Sequence, residues 1–130
     1  MSGSGTRAVA FVATGKPETA LEFYRDVLGL RFLEDTPFAI VFDAFGTMLR
    51  VQKAGSVNPA PYTSFGLEVP DIEAAVRDLA TKGVKGIRYS HFDQDELGIW
   101  TAPTGARVFW FHDPDGNLIS LSTLGDGDAK

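Results

Sequence analysis

A repeated order of secondary-structure signals constrains the fold of this chain more than any other feature. An apolar run over residues 7–13 changes to a helical period over 17–28, and three strand-like segments follow, RFLED, FAIVFDA and TMLRVQK. Helical and alternating periods are separate signals, so this part of the chain predicts the order β-α-β-β-β. The same order begins again at YTSFGLEV and continues through the helix PDIEAAVRDLATKGV. The sequence therefore predicts two tandem βαβββ modules, 7–53 and 62–122.

The ends of both predicted helices carry the residues expected there. Pro17 suits a first helical turn and Gly29 a helix stop, while Asp71 is a predicted N-cap and Gly83 a second stop. In the second module GIRYSHF, LGIWTA and RVFWFHD are predicted strands, PTG is a predicted hairpin turn, and GNLISLS is the closing strand. Two copies are too few for a solenoid. They predict an α+β fold in which curved mixed sheets surround a cleft and helices cover the outer faces.

Composition limits the class of protein. The chain has 130 residues with 44% apolar content, which suits one domain, and its small polar ends, 1–6 and 123–130, are predicted to be flexible. A net charge of −5 argues against nucleic acid and anionic membranes as partners. No apolar run reaches the roughly 20 residues needed to span a bilayer, so a cytoplasmic location is expected. Without cysteine, disulfides and thiolate sites are excluded.

Two motifs support a family resemblance. FYRDVLGL at the end of the first helix and DPDGN before the last strand, together with the repeated module, resemble the vicinal oxygen chelate superfamily. That superfamily includes glyoxalase I, extradiol dioxygenases, fosfomycin-resistance enzymes and bleomycin-resistance proteins. The likeness runs from about Arg7 to Ser122 and implies a homodimer, but one scaffold of this kind supports many chemistries. Within DPDGN, Asp113 and Asp115 are expected to bond nearby backbone amides of the turn.

The resemblance also implies where metal ligands would lie. Metal-dependent members use up to four positions, on the first and last strand of each module, and these fall at Ala8, Arg50, Ser64 and Ser120. Methyl and guanidinium groups offer no lone pair to a cation, and a serine hydroxyl is a weak neutral ligand. The family's metal site is therefore predicted to be absent, and no cofactor is expected. Glu68 is the nearest other donor on the same alternating face.

Arg50 supports two interpretations. Alternation along TMLRVQK places it on the face directed to the cleft. There it could pair with a carboxylate such as Asp43 or Glu68. It could equally anchor an anionic or carbonyl-bearing ligand, because guanidinium presents a rigid fork of donors.

The stretch HFDQDELGIW also supports two interpretations. Asp93, Asp95 and Glu96 lie close together before Trp100, and Trp110 follows. Charge runs are commonly solvated loops and tryptophans commonly belong to the core. Alternatively, these residues form an acidic rim and an aromatic wall that would hold a flat or cationic ligand.

The favoured functional hypothesis is a metal-independent small-molecule binding protein, of the sequestering or resistance type, whose ligand is aromatic or cationic. Its candidate ligand-binding residues are Arg50, Ser64, Glu68, Trp100, Trp110 and Ser120. The alternative is a glyoxalase- or dioxygenase-type enzyme, a lyase or oxidoreductase, that holds a divalent metal at an unconventional site. That site would combine Glu68 with Glu96 or His112. A third hypothesis is a metal-free enzyme with Arg50 as electrophile.

Overall fold

The fold consists of two modules with the same order of elements. A computed structural model describes residues 3–124. Module one contains β1 (Val9–Thr14), α1 (Pro17–Glu22), a π-helical turn (Phe23–Val27), β2 (Arg31–Asp35), β3 (Ala39–Ala44) and β4 (Thr47–Lys53). Module two contains β5 (Phe65–Glu68), α2 (Ile72–Thr81), β6 (Trp100–Thr101), β7 (Arg107–His112) and β8 (Leu118–Thr123). The predicted βαβββ repeat is confirmed.

Each module forms a four-stranded mixed sheet. The strand orders are β1-β4-β3-β2 and β5-β8-β7-β6, with β1 parallel to β4 and β5 parallel to β8. The remaining neighbours are antiparallel, and β1 lies next to β5 where the modules meet. The predicted α+β class is therefore confirmed. Neither helix of residues 3–124 has the length and apolar content needed to cross a membrane.

The predicted helix signals occupy their expected places. Pro17 is at the start of α1, and the Asp71 side chain accepts a hydrogen bond from the backbone N–H of Ala74 at the start of α2. Gly29 and Gly83 have φ of 75° and 84°, a left-handed conformation that glycine adopts without steric cost. Both helices therefore stop where the sequence predicts.

One predicted strand is wrong. GIRYSHF, residues 86–92, is a loop, and β6 is only two residues long. The Gln94 side chain donates to the carbonyls of Ile87 and Gly98 and accepts from the N–H of Tyr89. Such side-chain bonds compete with strand pairing for the same backbone groups. They leave one backbone bond from this segment to β7, from Ile87 to Trp110, among the described residues.

A single core joins the two modules. The helix-facing sides of both sheets bury large apolar side chains, and the buried helix residues pack into the same cluster. Its largest members include Tyr24, Phe42, Leu49, Phe109, Phe111 and Ile119. No helix of residues 3–124 covers the other side of either sheet, and we call these two surfaces together the open face.

The DPDGN turn connects module two to module one. The Tyr24 hydroxyl donates to Asp113 Oδ2 at 2.6 Å, and Thr14 Oγ1 donates to Asp115 Oδ2 at 2.5 Å. Asn117 Nδ2 donates to the carbonyl of Ala13 at 2.8 Å. Asp113 also accepts from turn amides, as expected from the sequence. The turn is thus both a local structure and a contact between modules.

Candidate functional site

The open face of module one combines a cation with exposed apolar groups. Phe11 on β1 and Val41 on β3 flank Arg50 on β4, and paired residues of neighbouring strands point to the same side. Phe11 is 50% exposed, and Met48 is exposed two residues before Arg50 on the same face. Phe11 and Met48 therefore leave apolar surface exposed beside Arg50, whereas Val41 on its other side is buried.

Arg50 has no partner among residues 3–124. It is half-buried, and its guanidinium group makes no ion pair or hydrogen bond there. Asp43, one of its predicted partners, pairs with Arg31 at 3.3 Å and accepts from the N–H of Gly46. Glu68, the other, is exposed and likewise makes no ion pair within the described part of the chain. The guanidinium donors of Arg50 are thus available to a ligand.

The open face of module two carries small and hydroxyl side chains at its centre. Gly66 on β5, Ser120 on β8 and Trp110 on β7 form one row across the sheet. A Cβ built on Gly66 would lie 3.1 Å from Ser120 Oγ, so the serine hydroxyl lies close over the glycine. Ser64 and Glu68 alternate with buried neighbours along β5 and lie on the same face. The side chains at the centre of this face are therefore small.

An aromatic wall borders this surface. It consists of Tyr89, Phe92, Trp100 and Trp110, and all four side chains are half-buried. The ring of Phe92 is parallel to that of Trp110, at 3° and 5.1 Å between centroids, and lies 4.5 Å from Trp100. Tyr89 meets Trp110 edge to face at 5.2 Å. Both tryptophans lie on the open face, and not in the core beneath the helices.

The structure brings all six predicted ligand-binding residues to the open face, but sequence reasoning missed two others. In the sequence, Phe11 is one residue of an apolar strand, and Phe92 lies among acidic residues that draw attention away from it. The one available signal for Phe92 is an aromatic residue in an otherwise polar stretch. Among its acidic neighbours, Asp95 accepts from the N–H groups of Leu97 and Ile99 and so shapes the loop.

A second concavity lies on the opposite side of the sheets. It has a volume of about 390 Å³, lies between the modules next to α2, and is lined mainly by apolar residues that include Val27, Leu67, Leu79 and Phe45. Phe45 is at the tip of the β3–β4 hairpin with φ of 53°, a rare conformation for a bulky residue. No candidate polar group named above, apart from Glu68 at its edge, borders this cavity.

Comparison with known proteins identifies the family. The model of the glyoxalase/bleomycin resistance protein/dioxygenase superfamily matches residues 7–121. The chain belongs to this superfamily. The comparison with curated proteins gives no match.

Solved structures of superfamily members share the fold. A member from Sphaerobacter thermophilus is 25% identical, with a TM-score of 0.70 and coverage of 92% of this chain and 97% of that one. The fosfomycin resistance protein FosX from Listeria monocytogenes is 10% identical, with a TM-score of 0.73 and coverage of 95% and 97%. Lactoylglutathione lyase from Agrobacterium tumefaciens is 17% identical, with a TM-score of 0.69 and coverage of 94% and 96%. At these identities the likeness concerns the fold.

The superfamily's metal positions require one revision. Arg50 pairs with Phe11 as Ser120 pairs with Gly66, so the residue equivalent to Ser64 is Val9. Ala8, the position predicted from sequence, is an odd number of residues from Val9 and Phe11, so alternation places it on the helix-facing side of the sheet. The prediction allowed for one extra residue before α1, but the helices aligned with Ala20 over Ala75 place Ser64 over Val9 without that allowance, and the strand register agrees.

The revised set of Val9, Arg50, Ser64 and Ser120 does not fit a divalent ion, because it contains no carboxylate or imidazole. Among residues 3–124 there is no group of three or more His, Asp or Glu side chains that could hold a metal.

The strand register also separates Glu68 from His112, one of the two residues that could share an unconventional metal site with it. Glu68 pairs with Ser122 of β8, whereas His112 pairs with Leu118 of the same strand. These two positions are four residues apart, which corresponds to about 13 Å along a strand. One ion cannot bridge side chains so far apart at ligand distances of about 2 Å.

Proposed function

We propose that this superfamily member binds a multi-ring aromatic acid on its open face, without a metal and without transforming it. The observation that carries the proposal is Arg50, a guanidinium group without a partner among residues 3–124, beside the exposed side chains of Phe11 and Met48. The planar guanidinium group matches the geometry of a carboxylate and can bind it through two parallel hydrogen bonds. A carboxylate on the ligand would supply the missing partner.

The aromatic wall supplies the second recognition element. Trp100 and Trp110 offer stacking surfaces for rings. Strands β1, β5 and β8 lie between Arg50 on β4 and Trp110 on β7, and strands are spaced about 4.8 Å apart. The long side chains of Arg50 and Trp110 can cover part of this distance, and a ligand that contacts both must span the rest. This favours fused or linked rings over a single ring.

We propose that the ligand is anionic, although the sequence also left a cationic ligand open. An acidic rim would favour a cationic ligand, but Asp95 is used within its own loop and lies 3.9 Å from Arg107. The unpaired Arg50 favours an anionic ligand instead. Binding is supported over turnover because Arg50 has no hydrogen-bonded carboxylate or histidine among residues 3–124 that could act as a base.

The proposal includes the cytoplasmic homodimer implied by the family resemblance. Its support is the amount of exposed aromatic surface, including Phe38 at 77% and Tyr62 at 69% exposure. Large exposed apolar side chains are common at protein interfaces.

A matched pair of ligands tests the function. Anthracene-2-carboxylate and 2-(aminomethyl)anthracene have the same rings and opposite charges. We expect the acid to bind more tightly, and Arg50→Met to weaken its binding about tenfold or more, since hydrogen bonds to charged groups contribute about 1.5–3 kcal/mol. Calorimetric titration measures both affinities.

Arg77→Met is the control, because Arg77 is an exposed arginine on α2 without a partner among the described residues. It removes the same charge from the helix side and should leave the affinity unchanged. Preference for the amine, or equal affinities of the wild type and Arg50→Met for the acid, would contradict the proposed function.

A further inference from the structure

The ring of Phe92 lies where an aromatic ligand would stack. It is parallel to Trp110 with centroids 5.1 Å apart, and it also contacts Trp100 at 4.5 Å and 32°. Offset parallel stacking of this kind is the arrangement that a planar ligand would adopt on the indole. One position on Trp110 cannot hold both rings.

We propose that Phe92 is an internal plug that a planar ligand displaces from Trp110. This inference rests on the proposed function, because it concerns the same aromatic site. Phe92 competes with the ligand, and the loop tip that carries it moves aside when the ligand binds.

The base of this loop is fixed independently of its tip. The Arg88 guanidinium donates to the carbonyls of Asp95 at 2.7 Å and Glu96 at 2.9 Å. These bonds hold together the two ends of the loop, residues 86–88 and 94–98, which we call its neck. The Gln94 side chain adds three further bonds, to Ile87, Tyr89 and Gly98. These contacts do not involve Phe92, so they can persist when its ring leaves Trp110.

Two glycines fasten the neck to the core. A Cβ on Gly86 would lie 2.5 Å from the ring of Phe109, and one on Gly98 would lie 3.3 Å from it. Phe109 is buried, so the backbone passes directly over a ring that cannot move away. The neck therefore stays in place while the tip changes position.

The tip itself, residues 90–93, has little to hold it apart from ring contacts. Among residues 3–124 its one backbone hydrogen bond runs from the N–H of Phe92 to the carbonyl of Tyr89, at 3.3 Å. His91 contacts Tyr89 and Phe92 and is exposed. Displacing Phe92 thus breaks ring stacking that the incoming ligand replaces, and it exposes no buried backbone group.

Competition between Phe92 and the ligand predicts the direction in which the affinity for the ligand changes. When only a fraction of the protein has the site open, the apparent dissociation constant is the intrinsic one divided by that fraction. Removing the Phe92 ring makes the open fraction complete, so binding should become tighter. If Phe92 were instead a second wall that stacks on the ligand, removing its ring would make binding weaker.

The test uses the full chain, with anthracene-2-carboxylate as the probe. The chain has two tryptophans, both in the aromatic wall, so tryptophan fluorescence reports this site alone. We expect Phe92→Ala to lower the apparent Kd about fivefold or more, and Phe92→Leu, which keeps an apolar side chain but cannot stack, to lower it less. Phe45→Ala, at an exposed phenylalanine on the opposite side of the sheets, should leave it unchanged.

Stopped-flow mixing provides a second readout. The observed binding rate of the wild type should level off at high probe concentration, because opening of the tip becomes limiting, whereas that of Phe92→Ala should keep rising. If the wild type binds the probe as tightly as Phe92→Ala does, or more tightly, the proposed plug is overturned and the proposed function is left intact. Failure of every variant to bind the probe overturns both.

Discussion

Tyr24 connects the two modules through a buried hydrogen bond, and removing its hydroxyl measures how strongly that bond stabilises the fold. The side chain is fully buried and donates to Asp113 at 2.6 Å. Asp113 also accepts from the side-chain amide of Asn117 and from the backbone N–H groups of Asp115 and Asn117. Tyr24→Phe therefore deletes one hydrogen bond of Asp113 while preserving the ring.

The expected loss follows from this geometry. A hydrogen bond to a charged group contributes about 1.5–3 kcal/mol to stability. The remaining donors still satisfy Asp113, so the free energy of unfolding should fall by about 1.5–2 kcal/mol, at the lower end of that range. Because the site is buried, bulk water does not replace the lost donor.

Urea unfolding at neutral pH, followed by tryptophan fluorescence, measures this loss. The midpoint should fall while the slope stays constant. Tyr62→Phe is the matched control, since Tyr62 is 69% exposed and its hydroxyl has no hydrogen-bond partner among residues 3–124. A loss for Tyr24→Phe as small as that of Tyr62→Phe would refute the assigned role of the hydrogen bond.

The same bond makes stability depend on alkaline pH. Burial, and then the charge and hydrogen bond of Asp113, raise the pKa of Tyr24 well above its ordinary value. Above about pH 10 the unfolded chain releases this proton and the folded chain keeps it, so the unfolded state binds fewer protons. The free energy of unfolding should then fall by about 1.4 kcal/mol per pH unit, with no such loss below pH 10. Tyr24→Phe should lack this additional alkaline slope.

Two further substitutions test the backbone, and urea unfolding measures both. Gly86→Ala should lower the free energy of unfolding by about 1–3 kcal/mol because its methyl group would lie 2.5 Å from buried Phe109. Gly55→Ala, where nothing lies within 4 Å of an added Cβ, is the control, and equal losses would contradict the close approach. Phe45→Asn should raise the free energy of unfolding by about 1 kcal/mol, since Phe45 has φ of 53° and is 74% exposed. A decrease would instead show that packing of the ring at the cavity outweighs backbone strain.

Signals that depend on near neighbours in the chain predicted the elements well. Pro17, Gly29, Asp71 and Gly83 mark helix ends through the conformation and hydrogen bonds of one helical turn, and all four are confirmed. RFLED coincides with β2. The repeat of these local signals was enough to predict two modules of the same type.

Alternation of apolar and polar residues gave a wrong prediction where a side chain outside the segment forms hydrogen bonds with its backbone. GIRYSHF has a strand-like pattern, but Gln94 takes the backbone groups that a neighbouring strand would need. Arg50 likewise has two candidate partners in the sequence, and the register placed Asp43 opposite Arg31 instead. Such contacts depend on which residues are paired across the strands, and nothing in the local sequence around these residues indicates that pairing.

The sequence by itself determined the element order, the helix ends and the superfamily, because each depends on residue type or on spacing within a short segment. Only the tertiary structure decided that Arg50 has no partner among residues 3–124 and that Phe92 lies on Trp110. These are facts about side chains brought together by sheet register and by a folded loop. Their positions depend on the whole arrangement of the strands, which no single segment encodes.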